Sequence, residues 1–434
     1  MTKENISIHF IKNSLKNILA RVFVKNTIGS YILQAEKALF AFIVLPLLAS
    51  RLGLSAFGVF STFLSLSIVA GMIVDWGLSQ TAVKLLAIAN NHEKPSIAGE
   101  VILARLTLAI PVICMVVALC FLVFDLSEYR VHVIFTVLTI FAVALSPTFI
   151  FQAEEKSFDI GVVLLLVRLS TIGLIAIYIK TSEDLNLAFA VYVLTGYMAV
   201  TVSWLILVIN YNLRVKLTST KGIRRQIVSG FSFAFANIGS SLYGNGSVFL
   251  FSLVSTSTEV GLFNLALTFT RSVSSISIPV SQSYLPKISR LYEESFSKAR
   301  IAVRKAMIVQ IVAALLLLVS VWVALLYVLP VVIHYNLHEV SQLIFLLSPT
   351  IVFTLISSQL VLFVIVPMSA TQFYRNLVAL TCLLGSISIL MLGNIFHAEG
   401  AAFSILVVEM IVCVAVCNHS IGAMKKSNPR NNIQ

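Results

Sequence analysis

The sequence predicts an all-α integral membrane protein with about twelve transmembrane helices in two six-helix lobes. Composition is the first reason: 59% of the 434 residues are hydrophobic, 11% are charged and mean hydropathy is +0.99. The second is periodic hydropathy, which divides the chain into about twelve apolar stretches of roughly 20 residues, each long enough to span a bilayer. The third is charge parity. Of the 30 Lys and Arg residues, 23 fall in the even-numbered gaps or the tails, whereas Arg51, Arg130 and Lys180 are alone in the odd-numbered gaps. Basic loops stay cytoplasmic, so both termini are expected on that side. The same parity accounts for the +12 charge, and no nucleic-acid partner is expected.

Residues 1–27 are read as a cytoplasmic amphipathic segment. Ile11, Leu15, Ile18 and Val22 share a helical face, with Lys12, Lys16 and Arg21 interleaved, a pattern that lies on an anionic leaflet. The opening residues run into it without a small-residue cleavage pattern, so the first span is expected to act as an uncleaved insertion signal. Spans follow over 28–50, 56–78, 98–122, 132–152, 158–179 and 186–209, and this N-lobe is bounded at 28–210. Residues 211–226 carry Arg214, Lys216, Lys221, Arg224 and Arg225 and read as a basic cytoplasmic linker. The C-lobe, 227–420, holds spans over 227–252, 260–283, 306–329, 340–366, 374–394 and 398–420, and 421–434 is a cytoplasmic tail. Six spans per lobe make the lobes enter the membrane in the same direction, as parallel repeats do. A short echo supports the repeat: Phe57-Gly58-Val59-Phe60 opens the second span and Val260-Gly261-Leu262-Phe263 the eighth. The predicted outward links are short, which argues against an enzyme that works on sugars through a large external loop.

Four bases lie inside the spans: Lys37, Arg105, Arg168 and Arg271. A charge at a helix centre costs about 2.5–3.5 kcal/mol on insertion scales, so these bases should face a hydrated cavity or pair with acids. Arg168 and Arg271 are central in the fifth and eighth spans. Lys37 is mid-span in the first, and Arg105 lies towards the cytoplasmic end of the third. Thr268, Thr270, Ser272, Ser274, Ser275 and Ser277 share the span of Arg271 and suit a wet wall. One reading is a cationic cavity holding an anionic head group at mid-membrane; the other is ion pairs that lock helices together.

The interior acids are Glu36, Glu409 and Asp75. Each could relay a proton or sodium ion or serve as counter-ion to a base, with Asp75 the more structural of the three. Adjacent on one helix, Glu36 and Lys37 point about 100° apart and do not form a simple pair. The seventh span is rich in Ser, Gly and Asn, and Asn237 and Asn245 are candidates for sugar contacts. The five cysteines lie within spans and show no Cys-x-x-Cys. His334 and His338 are four apart with no clear third ligand, so no metal is expected. Neither a P-loop nor a metalloprotease or nucleophile-elbow motif is present, and no catalytic residue or organic cofactor is expected.

Several motifs resemble the Wzx-type polysaccharide flippases of the multidrug/oligosaccharidyl-lipid/polysaccharide exporter superfamily. They are Leu45-Pro46-Leu47-Leu48-Ala49-Ser50-Arg51-Leu52-Gly53, Phe57-Gly58-Val59-Phe60, Asp75-Trp76-Gly77-Leu78, the fourth-span exit 147–156 and Glu259-Val260-Gly261-Leu262-Phe263-Asn264-Leu265-Ala266. Phe149 stands where Trp is common in that family, and Glu36-Lys37 maps onto none of its motifs. The resemblance implies two six-helix lobes around a central V-shaped cavity in the bacterial inner membrane. It further implies an undecaprenyl-diphosphate-linked oligosaccharide as substrate, of the O-antigen repeat type, moved from the cytoplasmic to the periplasmic leaflet by alternating access. A polysaccharide polymerase and a chain-length regulator are the partners expected beside membrane lipids. The competing readings are a cation-coupled multidrug exporter of the same superfamily and a membrane polysaccharide polymerase or transferase.

Overall fold

The computed structural model describes residues 28–29, 31–124, 126–211, 215–216, 220–327, 337–368 and 371–426. The segment 1–27 and His334 lie outside them. Among the described residues every regular element is helical. Eight helical stretches are long and apolar enough to cross a bilayer. Two of the eight are double. Tyr31–Asp75 is broken at Gly53, whose φ of 76° favours glycine, giving α1 (31–52) and α2 (54–75). The stretch Gln372–Lys425 is broken at Phe396 and His397, giving α16 (371–395) and α17 (398–426).

Between them the N-lobe continues through α3 (Leu78–Ile88), α4 (Lys94–Val123), α5 (Leu126–Leu145), α6 (Thr148–Ala153), α7 (Ser157–Tyr178) and α8 (Leu185–Tyr211). The C-lobe contains α9 (Thr220–Tyr243), α10 (Gly246–Ser252), α11 (Ser257–Ser275), α12 (Ile278–Glu294), α13 (Phe296–Tyr327), α14 (Leu337–Leu347) and α15 (Pro349–Leu360). The seventh and eighth stretches predicted from hydropathy are α9–α10 and α11–α12, and neither qualifies as a span by length and apolarity. They are interrupted at Gly244-Asn245 and at Ile276-Ser277, and they carry the polar residues that line the centre of the molecule. The linker boundary also shifts. Thr220–Gln226 is already helical, and Ile223 and Ile227 pack on the N-lobe cluster around Leu78, Val101 and Phe151. The Trp76 indole donates to the Ile227 carbonyl at 3.2 Å, and the buried Glu100 carboxylate accepts from Arg225 and Gln226, each at 2.8 Å. The first turns of α9 therefore belong to the N-lobe surface.

Lipid tails are as apolar as leucine, so close packing rather than burial holds such helices together. In the N-lobe this falls to aromatic rings. Phe57, Phe60 and Phe63 of α2 are buried, with Phe60 and Phe63 against Phe189 at centroid separations of 4.8 and 6.3 Å. Pairs of this kind contribute about 0.5–1.5 kcal/mol beyond their area. The C-lobe packs Phe251 edge-on to Phe263 at 5.2 Å, within a cluster of Ile344, Ile351, Ile389 and Val408. Glu259 ties that lobe to the final hairpin, its carboxylate accepting from the Ala398 amide (3.0 Å) at the start of α17.

The lobes meet through the two motifs that echo each other. A methyl group on Gly58 would run into the Ser257 carbonyl oxygen, and one on Gly261 would sit 2.6 Å from the Leu54 carbonyl oxygen. Ser257 lies four residues before Gly261, and Leu54 four before Gly58, so the contact is reciprocal. One turn deeper, the Asn264 amide donates to the Ser61 hydroxyl at 2.8 Å, again at matching positions. Backbone-to-backbone packing of α2 on α11 thus closes the end of the molecule nearest Gly53.

Candidate functional site: a cationic cavity between the lobes

Below that closure lies a cavity of about 410 Å³. Its N-lobe wall is built from α1 and α2 with Arg168 of α7; its C-lobe wall comes from α10, α11 and the break before α10. Lys37, Arg168 and Arg271 all line it, together with Glu36 and Asn245. Five of the nine residues singled out from the sequence therefore converge, although they come from three separate helices and a break.

Local structure explains where each base points. In α1 the turn Phe40–Val44 is a π-helix, a one-residue widening that is frequent at functional sites. Phe40 and Ala41 of this turn face the cavity, and the Arg168 guanidinium lies 4.5 Å from the Phe40 ring centroid. Arg168 also pairs with Glu36, its Nε donating to Oε1 at 2.8 Å and its Nη2 reaching the same oxygen. The internal-pair reading thus holds for Arg168, and it holds at the cavity wall. Lys37 is exposed, and no carboxylate pairs with it among the described residues.

Arg271 depends on the break at Gly244-Asn245. An interrupted helix leaves carbonyl and amide groups unpaired, and inside a membrane these must be satisfied from nearby. The Ser65 hydroxyl donates to the Asn245 carbonyl at 2.5 Å and accepts from the Phe249 amide at 3.1 Å. Arg271 Nη1 donates to the Gly244 carbonyl at 2.9 Å. The broken helix thereby anchors the guanidinium in the wall. Thr268, Ser272 and Ser275 continue its face along α11, opposite Phe40, Leu45, Leu64 and Ile68. One wall is hydroxylic and cationic, the other apolar with Lys37 and Arg168 set into it.

The remaining candidates lie elsewhere. Arg105 does not line the cavity. It is 3% exposed and sits in the N-lobe, donating to Asp75 (2.6 Å), Ser79 (2.6 Å) and the Ser146 carbonyl (2.8 Å), with its guanidinium 4.9 Å from the Phe149 ring centroid. Both Arg105 and Asp75 are consumed by this clamp across α2, α4 and the α5–α6 break. Glu409 lines a second cavity, of about 320 Å³, inside the C-lobe; Arg271 and Asn245 border both. The side chain of Asn237 lies outside the described residues, as does His334, and no cluster of metal-ligating residues occurs among those described. Sequence reasoning overlooked Ser61 and Ser65, which roof the cavity, and weighed Asn264 only as part of a motif. Their signal was a run of small hydroxyls, Ser61, Ser65 and Ile68-flanking Ser67, along one apolar helix.

A two-lobed helical bundle with a polar inter-lobe cavity defines a multi-pass membrane protein of the transporter class. Residues 23–292 match the family described as Polysaccharide biosynthesis protein, and the chain belongs to that family. It is 26% identical over 286 residues to a protein of Escherichia coli (strain K12) named "Putative O-antigen transporter", covering 65% of this chain and 69% of that one. A protein of the same name from Shigella dysenteriae is 24% identical over 394 residues, 89% of this chain and 97% of its own length. Two solved structures share the fold with a TM-score of 0.73. One is an inward-facing multidrug resistance MATE family transporter of the MOP superfamily (15% identity, 90% of this chain and 96% of that one). The other is the lipid II flippase MurJ in an inward closed conformation (13% identity, 91% and 87%). The superfamily resemblance read from the motifs is therefore the observed fold.

Proposed function

We propose that this protein is a flippase for a lipid-linked oligosaccharide, which carries the diphosphate and sugars of its substrate across the bacterial inner membrane. The observation that carries this reading is the convergence of Lys37, Arg168 and Arg271 on one inter-lobe cavity. A diphosphate brings about two negative charges, for which guanidinium groups provide bidentate donors and an ammonium group a point charge. Sugar hydroxyls find partners in Asn245, Thr268, Ser272 and Ser275, while the lipid tail can stay in the membrane between the lobes. The family and the O-antigen transporter relatives support the same substrate class. Movement from the cytoplasmic to the periplasmic leaflet by alternating access, with O-antigen-type repeat units as cargo, is the finer form of the proposal.

The test is the leaflet location of lipid-linked glycan in cells lacking the gene. Single repeat units held on the cytoplasmic face, and released by the wild-type gene but not by Arg271→Ala, are the expected result. Units that reach the periplasm unpolymerised would place the protein in assembly instead. Intact glycan with accumulation of cationic dyes would make it a drug exporter.

A further inference from the structure

The two deep arginines share an arrangement that flipping alone does not require. Arg271 lies in the partition between the central cavity and the C-lobe cavity, whose wall also holds Glu409, Tyr243, Tyr374 and Thr354. Arg168 lies in the partition between the central cavity and a third cavity of about 220 Å³ inside the N-lobe, bordered by Glu36. Each guanidinium thus has one side towards the shared space and shares the cavity behind it with a carboxylate of its own lobe: Glu36, which pairs with Arg168, and Glu409, which lines the same cavity as Arg271.

The two carboxylates differ in one respect. Glu36 lines the central cavity itself, whereas Glu409 lines only the C-lobe cavity. Glu409, Arg271 and Thr354 line that cavity together, and among the described residues no ion pair joins Glu409 to Arg271. The Tyr243 hydroxyl is already committed to the Ile405 carbonyl at 3.2 Å. Arg271 and Asn245 stand between the central cavity and Glu409.

From this geometry, and resting on the flippase reading, we infer that Glu409 is a positioning residue: the carboxylate behind Arg271 that balances its charge across the C-lobe cavity and competes for the guanidinium with an anionic head group in the central cavity. An unpaired guanidinium at membrane depth is costly, so the empty cavity needs such a partner. A diphosphate offers the same guanidinium a bidentate acceptor on the other side of the partition. Binding then becomes an exchange of one anion for another at Arg271. Release is assisted because the carboxylate draws the guanidinium back. Lys37, which has no carboxylate among the described residues, supplies the attraction that starts the exchange.

The test uses the full-length protein in lipid nanodiscs, with inorganic pyrophosphate as probe. Glu409→Gln removes the competitor while keeping the shape. It should tighten pyrophosphate binding by about tenfold, equivalent to about 1.4 kcal/mol, and at the same time slow flipping in proteoliposomes. With Arg271→Ala in the background, the gain from Glu409→Gln should vanish. Glu409→Asp, which draws the carboxylate back, should tighten binding by an intermediate factor and covers the case in which the Gln variant fails to fold. A folded Glu409→Gln protein that binds as the wild type does, or more weakly, overturns the inference, as does a gain that survives Arg271→Ala. If neither wild type nor Glu409→Gln binds pyrophosphate, the anion-binding reading of the cavity fails, and this inference with it.

Discussion

Substituting Gly261 by alanine probes the closure above the cavity at the milder of its two reciprocal backbone contacts. The new Cβ would sit 2.6 Å from the Leu54 carbonyl oxygen, below the 3.0 Å that real Cβ atoms keep and short of the 3.4 Å of ordinary contact. That oxygen belongs to backbone and cannot rotate away, so α2 and α11 must part by about 0.8 Å to restore ordinary contact. The Asn264–Ser61 hydrogen bond, now 2.8 Å, would then stretch past its useful range. Taking about 1 kcal/mol for overpacking, at the low end because the shift is small, and about 1 kcal/mol for the hydrogen bond, the closed form loses about 2 kcal/mol. The higher helix propensity of alanine cancels, since α11 is helical whether the lobes are closed or open. The open-to-closed ratio should therefore rise about thirtyfold. The assay is labelling of Thr268→Cys, inside the cavity, by a membrane-impermeant maleimide added outside intact cells, with Cys114, Cys120, Cys382, Cys413 and Cys417 replaced. Gly173→Ala, which meets nothing within 4 Å, is the control. Labelling of Gly261→Ala at the parent rate, or an equal gain in the control, would refute the argument.

Cysteines at Ser61 and Asn264, whose side chains touch, should cross-link on oxidation and halt transport, and reduction should restore it; full transport in the cross-linked protein would remove this contact from the cycle. Arg105→Ala strands Asp75 in the N-lobe and should cost about 3–5 kcal/mol, seen as a lower melting temperature in detergent, with Arg105→Lys recovering part. Loss of pyrophosphate binding without any change in melting would instead put Arg105 in the site. Glu259→Gln weakens the anionic cap on α17 and should lower stability by about 1 kcal/mol while leaving pyrophosphate affinity unchanged, which melting and binding measured on one sample would check.

The lobes, the bases at depth and the internal echo could all be read from the sequence, because hydropathy and charge are properties of local windows. Pairing could not. Arg168 and Glu36 are 132 residues apart, and Arg105 and Asp75 thirty, so depth along a helix says that each base needs a partner without saying which. Arg105 is the case where this matters most. It lies inside a span as the cavity bases do, yet it faces Asp75 at the end of α2 and Ser79 at the start of α3, and that clamp takes up its charge. The seventh and eighth stretches were read as continuous spans, and their breaks were not legible. Gly244-Asn245-Gly246 reads as small-residue packing until Ser65 and Arg271 are seen to take up the groups that the break exposes. The echo at Gly58 and Gly261 was visible as a repeat. That the two copies press on each other is a consequence of the lobe pairing, which no four-residue match contains.

Shared folds leave the sign of the cargo open, since the chain superposes equally well on a multidrug transporter and on a lipid flippase. The cavity wall carries the distinction. A pocket for cations needs a carboxylate that is free, or held so weakly that the ligand can take it. Here Glu36 already accepts two bonds from Arg168, and Glu409 sits behind Arg271, where a ligand in the central cavity cannot reach it. A cation would have to pull Glu36 from Arg168 while lying against Lys37, paying for both a broken pair and a like-charge contact. An anion meets Lys37 first and can then take up Arg271, which no carboxylate pairs among the described residues, without breaking the Arg168–Glu36 pair. The same set of helices can therefore serve opposite cargoes, and which one it serves follows from which charge in the wall is left without a partner.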